Sequence, residues 1–275
     1  LTGVALDGKH FFYANPLASQ PDPAKPGKKL RPGWYGCACC PPNLARLVTS
    51  LGTYIYGQSK QTLFVHLFAN SDATFTVGKG TVALAQKTQY PWDETISITV
   101  DPDAARKFRL AIRMPGWCRK PALKVNGKRI ALDTLVRKGY AIIDRTWEPG
   151  DRVELVLPMP VERTYMPIAV KADVGRVALQ RGPVVYCLEE ADNGKQIDTV
   201  ELPRDAALKV KAGRIGDVPV PLIHAEGIRL STPTPEGIST QAPHAKRTRL
   251  VAVPYHLWAN RGEGEMQVWI REGRS

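Results

Sequence analysis

Beyond Tyr54, short stretches of alternating apolar and polar residues recur, each cut off within a few positions by glycine, proline, asparagine or aspartate. This spacing is the strongest constraint on the fold, because a period of two keeps one face apolar only in an extended strand. Candidate strands lie at 63–68, 74–77, 82–84, 95–100, 108–113, 123–125, 140–144 and 153–157. Asn126-Gly127, between Val125 and Ile130, is a hairpin signal, since both residues accept the positive φ of a tight turn. The 23 glycines and 23 prolines in 275 residues supply the turns such a chain needs. With 43% apolar residues it also has enough material for a packed core. The pattern predicts a β-sandwich ending near Pro158. A second β block follows, with candidates at 177–180, 184–188, 218–223, 249–253 and 266–270. The polar, proline-bearing segment between Asp192 and Pro243 reads as long loops.

The region before the strands differs. Residues 1–36 read as an irregular lead-in, with a short strand or turn at FFYANPL (11–17) and a Pro/Lys/Gly-rich loop at 19–33. Residues 41–52, PPNLARLVTSLG, form the clearest helix. Pro41 and Pro42 suit a helix start, where a missing N–H is harmless. Leu44, Leu47, Val48 and Leu51 mark one face expected to be buried, and Gly52 suits the C-terminal end. Cys39 and Cys40 therefore sit at a helix N-terminus, where the dipole and free N–H groups favour a thiolate.

Five cysteines, three of them within Cys37-Ala38-Cys39-Cys40, do not make a disulfide framework. Adjacent cysteines bond to each other only under strain. Crowded soft sulfurs suit zinc, and a tuned thiolate is also a nucleophile. The alternative is a tight turn with buried cysteines, and the spacing alone does not choose between these. Cys118 and Cys187, isolated in strand-like segments, read as buried small apolar residues.

The formal net charge is +12. Nucleic acid, a membrane surface or an acidic polysaccharide could each answer such a charge. The basic residues are scattered and no nucleic-acid-binding signature accompanies them, so no nucleic-acid partner is expected. No apolar run approaches the roughly 18–20 residues that cross a bilayer, so no membrane partner is expected either. The chain opens on Leu1 without a charged, apolar leader, which reads as a soluble fragment with its natural start upstream. A cytoplasmic setting is expected. Export to the periplasm or outside stays open, since any leader would lie upstream.

The string GCACCPPNLARLVTSLGTYIYG (36–57) resembles the signature of glycoside hydrolase family 127, the β-L-arabinofuranosidase family. FFYANPL before it agrees in order, as do RMPGWC (113–118), GYAIIDRTWEPGDRVELVLPMPV (139–161), LQRGPVVYCLE (179–189) and PYHLWANRGEGEMQVWI (254–270). The resemblance implies a mainly β chain, with two β-sandwich domains following the last helix of an (α/α)6 catalytic barrel whose remainder lies upstream. The corresponding divisions are 1–55 for the barrel end, 56–160 for the first sandwich and 161–275 for the second. It implies a retaining hydrolase of β-L-arabinofuranosides or related furanosides, with Zn2+ as cofactor. Cys39 would be the nucleophile and a zinc contact, and Cys40 a zinc ligand, while Cys37 gains no role. The family's acid/base glutamate and remaining zinc ligands precede the signature, so these 275 residues alone are expected to be inactive. The implied partners are an arabinofuranoside-type substrate, the protein's own N-terminal barrel and a second copy in a homodimer.

Tyr13 and Trp34 flank the signature and could line a sugar pocket, although core packing is the plainer reading. Tyr13 is taken as a substrate-binding candidate. His10, His66, His224, His244 and His256 lack metal-ligand spacing to one another and read as structural or exposed. Trp117, Trp147, Trp258 and Trp269 read as packing residues rather than a sugar platform. Two other functions compete with the hydrolase: a non-catalytic accessory, assembly or carbohydrate-binding module, and a polyanion binder driven by charge.

Overall fold

A computed structural model describes residues 4–12, 15–20, 31–34, 36, 39–233 and 237–273. The chain is mainly β, as the period-two pattern requires, with one helix longer than four residues among those described. It divides into two compact units, one formed by 45–159 and the other by 1–44 together with 160–275.

The 45–159 unit is a two-sheet sandwich. One sheet runs in the order Val136–Arg137, Tyr140–Trp147, Arg106–Arg113, Thr62–Val65 and Tyr56–Ser59. Its pairs are antiparallel except for Thr62–Val65 beside Arg106–Arg113, which is parallel. The other runs Ser71–Val77, Gly80–Thr88, Thr95–Pro102, Asp151–Val156, Ala122–Val125 and Lys128–Ile130, all antiparallel. Inward residues of both sheets form one core, including Val65, Leu84, Ile98, Leu110, Leu123 and Leu155, all fully buried. Trp147 is the largest side chain in it; its indole N–H donates to the Phe108 carbonyl at 3.2 Å, which satisfies the one polar group burial would strand. Asn126 and Gly127 take φ of 49° and 76°, as a two-residue hairpin between right-twisted strands demands. The Asn126 amide adds tertiary ties, donating to Asp151 Oδ1 at 2.6 Å and accepting from the Arg152 N–H at 2.8 Å.

In the other unit, six strands close into a ring. Arg176–Arg181 pairs with Val184–Glu189, then come His244–Pro254, Val218–Ser231, Val200–Pro203 and Ile270–Gly273, and the last pairs back with Arg176–Arg181. Closure leaves no ring strand with a wholly unpaired edge. Val161–Thr164, Lys209–Ile215, Met266–Gln267 and Ala18–Ser19 extend the sheet from it. The lead-in thus joins the C-terminal strands: Ala18 pairs with Gln267, and Phe12 stacks on buried Trp258 with centroids 4.4 Å apart. The segment read as long loops between Asp192 and Pro243 holds two strands not expected from the sequence, at Val200–Pro203 and Lys209–Ile215, and the strand expected at 218–223 runs on to Ser231.

The helix spans Cys40–Ser50 and tightens into a 3-10 turn at Leu51–Tyr54. Hydroxyls bond back to the carbonyls of the preceding turn: that of Thr49 donates to Ala45 and Arg46, and that of Ser50 to Arg46 and Leu47. The apolar face is not buried, contrary to expectation: Leu47, Val48, Leu51 and Tyr54 are 41%, 55%, 43% and 55% exposed.

Ring closure requires close backbone approach at Gly227. A Cβ there would stand 2.9 Å from the Glu201 carbonyl oxygen and 2.5 Å from Leu250 Cδ1. Gly227→Ala is expected to destabilise the protein by about 1–3 kcal/mol, read as a lower urea midpoint at unchanged slope. An unchanged midpoint would show that the strands can separate freely at this point.

Candidate functional site

Cys39 is exposed and stands one residue before the helix, its carbonyl accepting the Asn43 N–H at 3.3 Å. It therefore holds the N-cap position, with its side chain at the positive end of the helix dipole. Pro41 and Pro42 fix the first turn but carry no N–H, so the backbone donors expected at this end are fewer than in an ordinary helix. The effect of the helix start on a Cys39 thiolate is thus mostly that of the dipole. Tyr13, Cys37 and the Cys40 side chain lie outside the described residues. Trp34 is 67% exposed, so the core reading does not hold for it.

The sulfur chemistry at Cys39 suits zinc, but zinc sites take about four donors. Among the described residues no three His, Cys, Asp or Glu side chains converge where a metal could sit. The described residues by themselves therefore assemble no complete zinc site.

Of the other cysteines, Cys187 is buried in a strand as expected, whereas Cys118 lies outside the strands and is only partly buried. Cys187 is fully buried, and burial pushes its thiol well above the ordinary value, so it is inert. Cys118 is half-buried against the sandwich core. The histidines do not converge. His66 Nδ1 bonds the Tyr140 hydroxyl at 2.8 Å, and His10 pairs with Asp7.

Sequence reasoning missed an ion cluster in the ring unit. Glu189, at the end of the apolar strand Val184–Glu189, is buried and accepts the Ala259 N–H at 2.7 Å. Arg261 bridges Glu189 and Asp192. Burial alone would lower the Arg261 pKa, but its bonds to Asp192 and Glu189 prevail and hold it above the ordinary value. Both Glu189 oxygens are engaged, so this carboxylate is structural rather than an acid/base candidate. Its one signal in the sequence is a charge closing an otherwise apolar strand. A cavity of about 570 Å³ in the same unit is lined by residues of mixed sign, including Asp7, His10, Arg31, Asn260 and Glu263.

The chain as a whole has known counterparts. Residues 1–53 match the description "Beta-L-arabinofuranosidase, GH127 catalytic domain", 62–159 the GH127 middle domain and 161–271 the family 127 C-terminal domain. The chain is 32% identical to a non-reducing end β-L-arabinofuranosidase of Bifidobacterium longum subsp. longum, over 98% of this chain and 43% of that protein. It superposes on a GH127 β-L-arabinofuranosidase from Geobacillus stearothermophilus T6 with a TM-score of 0.93 and 44% identity, covering 99% of this chain and 44% of that one. A further GH127 β-arabinofuranosidase structure gives a TM-score of 0.88 at 33% identity, over 99% and 43% of the two chains. The chain belongs to glycoside hydrolase family 127 and spans less than half the length of these relatives.

His256, in the 3-10 turn Tyr255–Leu257, has a structural role. Burial, reinforced by the Arg31 guanidinium, pushes its imidazole from 6.5 down to about 4. The folded state keeps it neutral while the unfolded state takes up a proton below 6.5, so its contribution is complete above that pH and is lost on acidification toward 4. The urea midpoint is expected to fall across this window, and His256→Gln should flatten that fall. An equally steep decline in the variant would assign the pH dependence to other groups.

Proposed function

We propose that this chain is the C-terminal part of a retaining glycoside hydrolase that cleaves β-L-arabinofuranosides or related furanosides, with Cys39 as the nucleophile. The reading is carried by one observation: Cys39 is an exposed thiol at the head of the helix in the segment that matches the family's catalytic domain. In the proposed reaction the Cys39 thiolate attacks the anomeric carbon. The glycosidic C–O bond breaks as a C–S bond forms, and a carboxylic acid from outside this chain protonates the departing oxygen. The resulting carboxylate then takes a proton from water, which displaces the sulfur and releases the sugar with net retention. A cysteine suits this role because a thiolate is strongly nucleophilic near neutral pH when its pKa is lowered. Cys39 and Cys40 would contribute two sulfur donors to a zinc ion completed by ligands from outside these residues, and such an ion would keep the nucleophile deprotonated.

The exposed stripe Leu47, Val48, Leu51 and Tyr54 favours a further statement about the chain taken alone. We propose that the remainder of the catalytic barrel packs on this stripe, and that the two β units brace the cysteine-bearing helix in the full-length protein.

Cys39→Ser in the full-length protein should lower kcat by about three orders of magnitude or more while circular dichroism and thermal midpoint stay unchanged. Turnover near the parent level would sink the nucleophile assignment. Metal analysis of the full-length protein should find about one zinc per chain, a number set by one four-donor site. Cys40→Ser should lose that metal, and a variant retaining it fully would remove Cys40 from the ligand set.

A further inference from the structure

We propose that a cleft at one end of the 45–159 sandwich binds a carboxylated saccharide, a uronate-bearing stretch of the glycan on which the full-length protein acts. The choice of a saccharide over other anions rests on the hydrolase reading above. The cleft has a volume of about 490 Å³ and is lined by Lys60, Arg106, Lys107 and Arg109 together with Ser59 and Thr62. No carboxylate and no aromatic ring lines it. The size is that of a small-ligand site. The unit as a whole leans the same way: residues 45–159 hold 17 lysines and arginines against 10 aspartates and glutamates, a net +7 of the chain's +12.

The cations are held in place by the fold. Lys60 lies in the turn between Tyr56–Ser59 and Thr62–Val65, and the carbonyl of the next residue, Gln61, accepts the Arg109 N–H at 2.9 Å. That bond ties the turn to the strand carrying Arg106, Lys107 and Arg109. Arg106 donates to the Val77 carbonyl at 3.2 Å and to Asp103 Oδ1 at 2.7 Å. Its guanidinium lies over Gly80, where a Cβ would come within 1.6 Å of Nη2. Arg109 Nε donates to Asp144 Oδ2 at 3.2 Å. The two arginines are thus neutralised and fixed, while Lys60 and Lys107 have no acidic partner among the described residues. They are the charges left for a ligand.

The chemistry of the lining selects the ligand class. An ammonium pairs with a carboxylate through charge-assisted hydrogen bonds. Ser59, Thr62 and Gln61 offer hydroxyl and amide groups of the kind that exchange hydrogen bonds with sugar hydroxyls. Nucleic-acid single strands are gripped by base stacking on aromatic side chains, which this cleft lacks. A neutral sugar would likewise find no ring to pack on. A second attachment point for a glycan would raise the effective concentration of its remaining residues at the catalytic centre.

The test is calorimetric titration of the full-length protein with a short oligogalacturonate, with a neutral arabinan oligomer, and with single-stranded DNA of equal charge. Saturable binding of the oligogalacturonate is expected, with neither comparator matching it. Lys60→Glu with Lys107→Glu should weaken that binding by about tenfold or more, the effect of two reversed exposed charges. Turnover of a small uncharged arabinofuranoside should be unchanged. Lys60→Gln with Lys107→Gln should weaken binding less, at an unchanged thermal midpoint. Absence of saturable binding, equal affinity in the Glu variant, or DNA bound as tightly as the oligogalacturonate would each overturn the proposal. If the protein turns over no arabinofuranoside yet binds oligogalacturonate through these lysines, the cleft assignment stands and the hydrolase reading falls.

Discussion

Backbone pairing between short strands is the constraint on which the rest of this structure depends. Thr62–Val65 and Ala122–Val125 have four residues each, too few to stand without neighbours. The 45–159 unit meets the constraint by stacking two sheets over one core, and the other unit meets it by ring closure. Closure imposes local demands. Gly227 admits the Glu201 carbonyl because it has no Cβ. Arg261, joined to Glu189 and Asp192, fastens the segment that follows His244–Pro254 back onto Val184–Glu189.

Where packing alone decided the conformation, the sequence was readable. The alternating run at 95–100 lies within Thr95–Pro102, whose buried positions are Ile96, Ile98, Val100 and Pro102. Asn126-Gly127 turns where its backbone tolerance says it should. The misreading at 192–243 has a physical cause. Lys209–Ile215 is largely exposed, and its brief alternation over 209–212 stops at Gly213, too short a run to mark it as a strand. Its partner Val218–Ser231, expected only over 218–223, contains Pro219 and Pro221. Those prolines pair only with Arg214 and Ala212, because pairing with His244–Pro254 starts at Ile223. A proline is harmless where its missing N–H would point away from the one neighbour.

The site was legible to a different depth. The helix and the place of Cys39 at its head followed from the double proline and the spacing of the leucines. The burial of that helix did not follow, because amphipathic spacing announces a face that needs covering and not what covers it. Glu189 escaped notice because burial of a charge depends on Arg261, 72 residues away in sequence. The cationic cleft escaped for a similar reason: Lys60 and Arg106 meet only through a parallel pairing across the first sheet.

The discontinuity of the ring unit bears on how the protein is made. Residues 45–159 are contiguous, so their sandwich can complete all its pairings as soon as Met159 has left the ribosome. The ring unit must wait for its far end: Ala18 pairs with Gln267, about 250 residues later, a delay on the order of 10–50 s at typical synthesis rates. During that interval the lead-in before the cysteines has no strand to join. The sandwich is therefore positioned to be the first β unit to form, and the ring one of the last parts of the chain to lock.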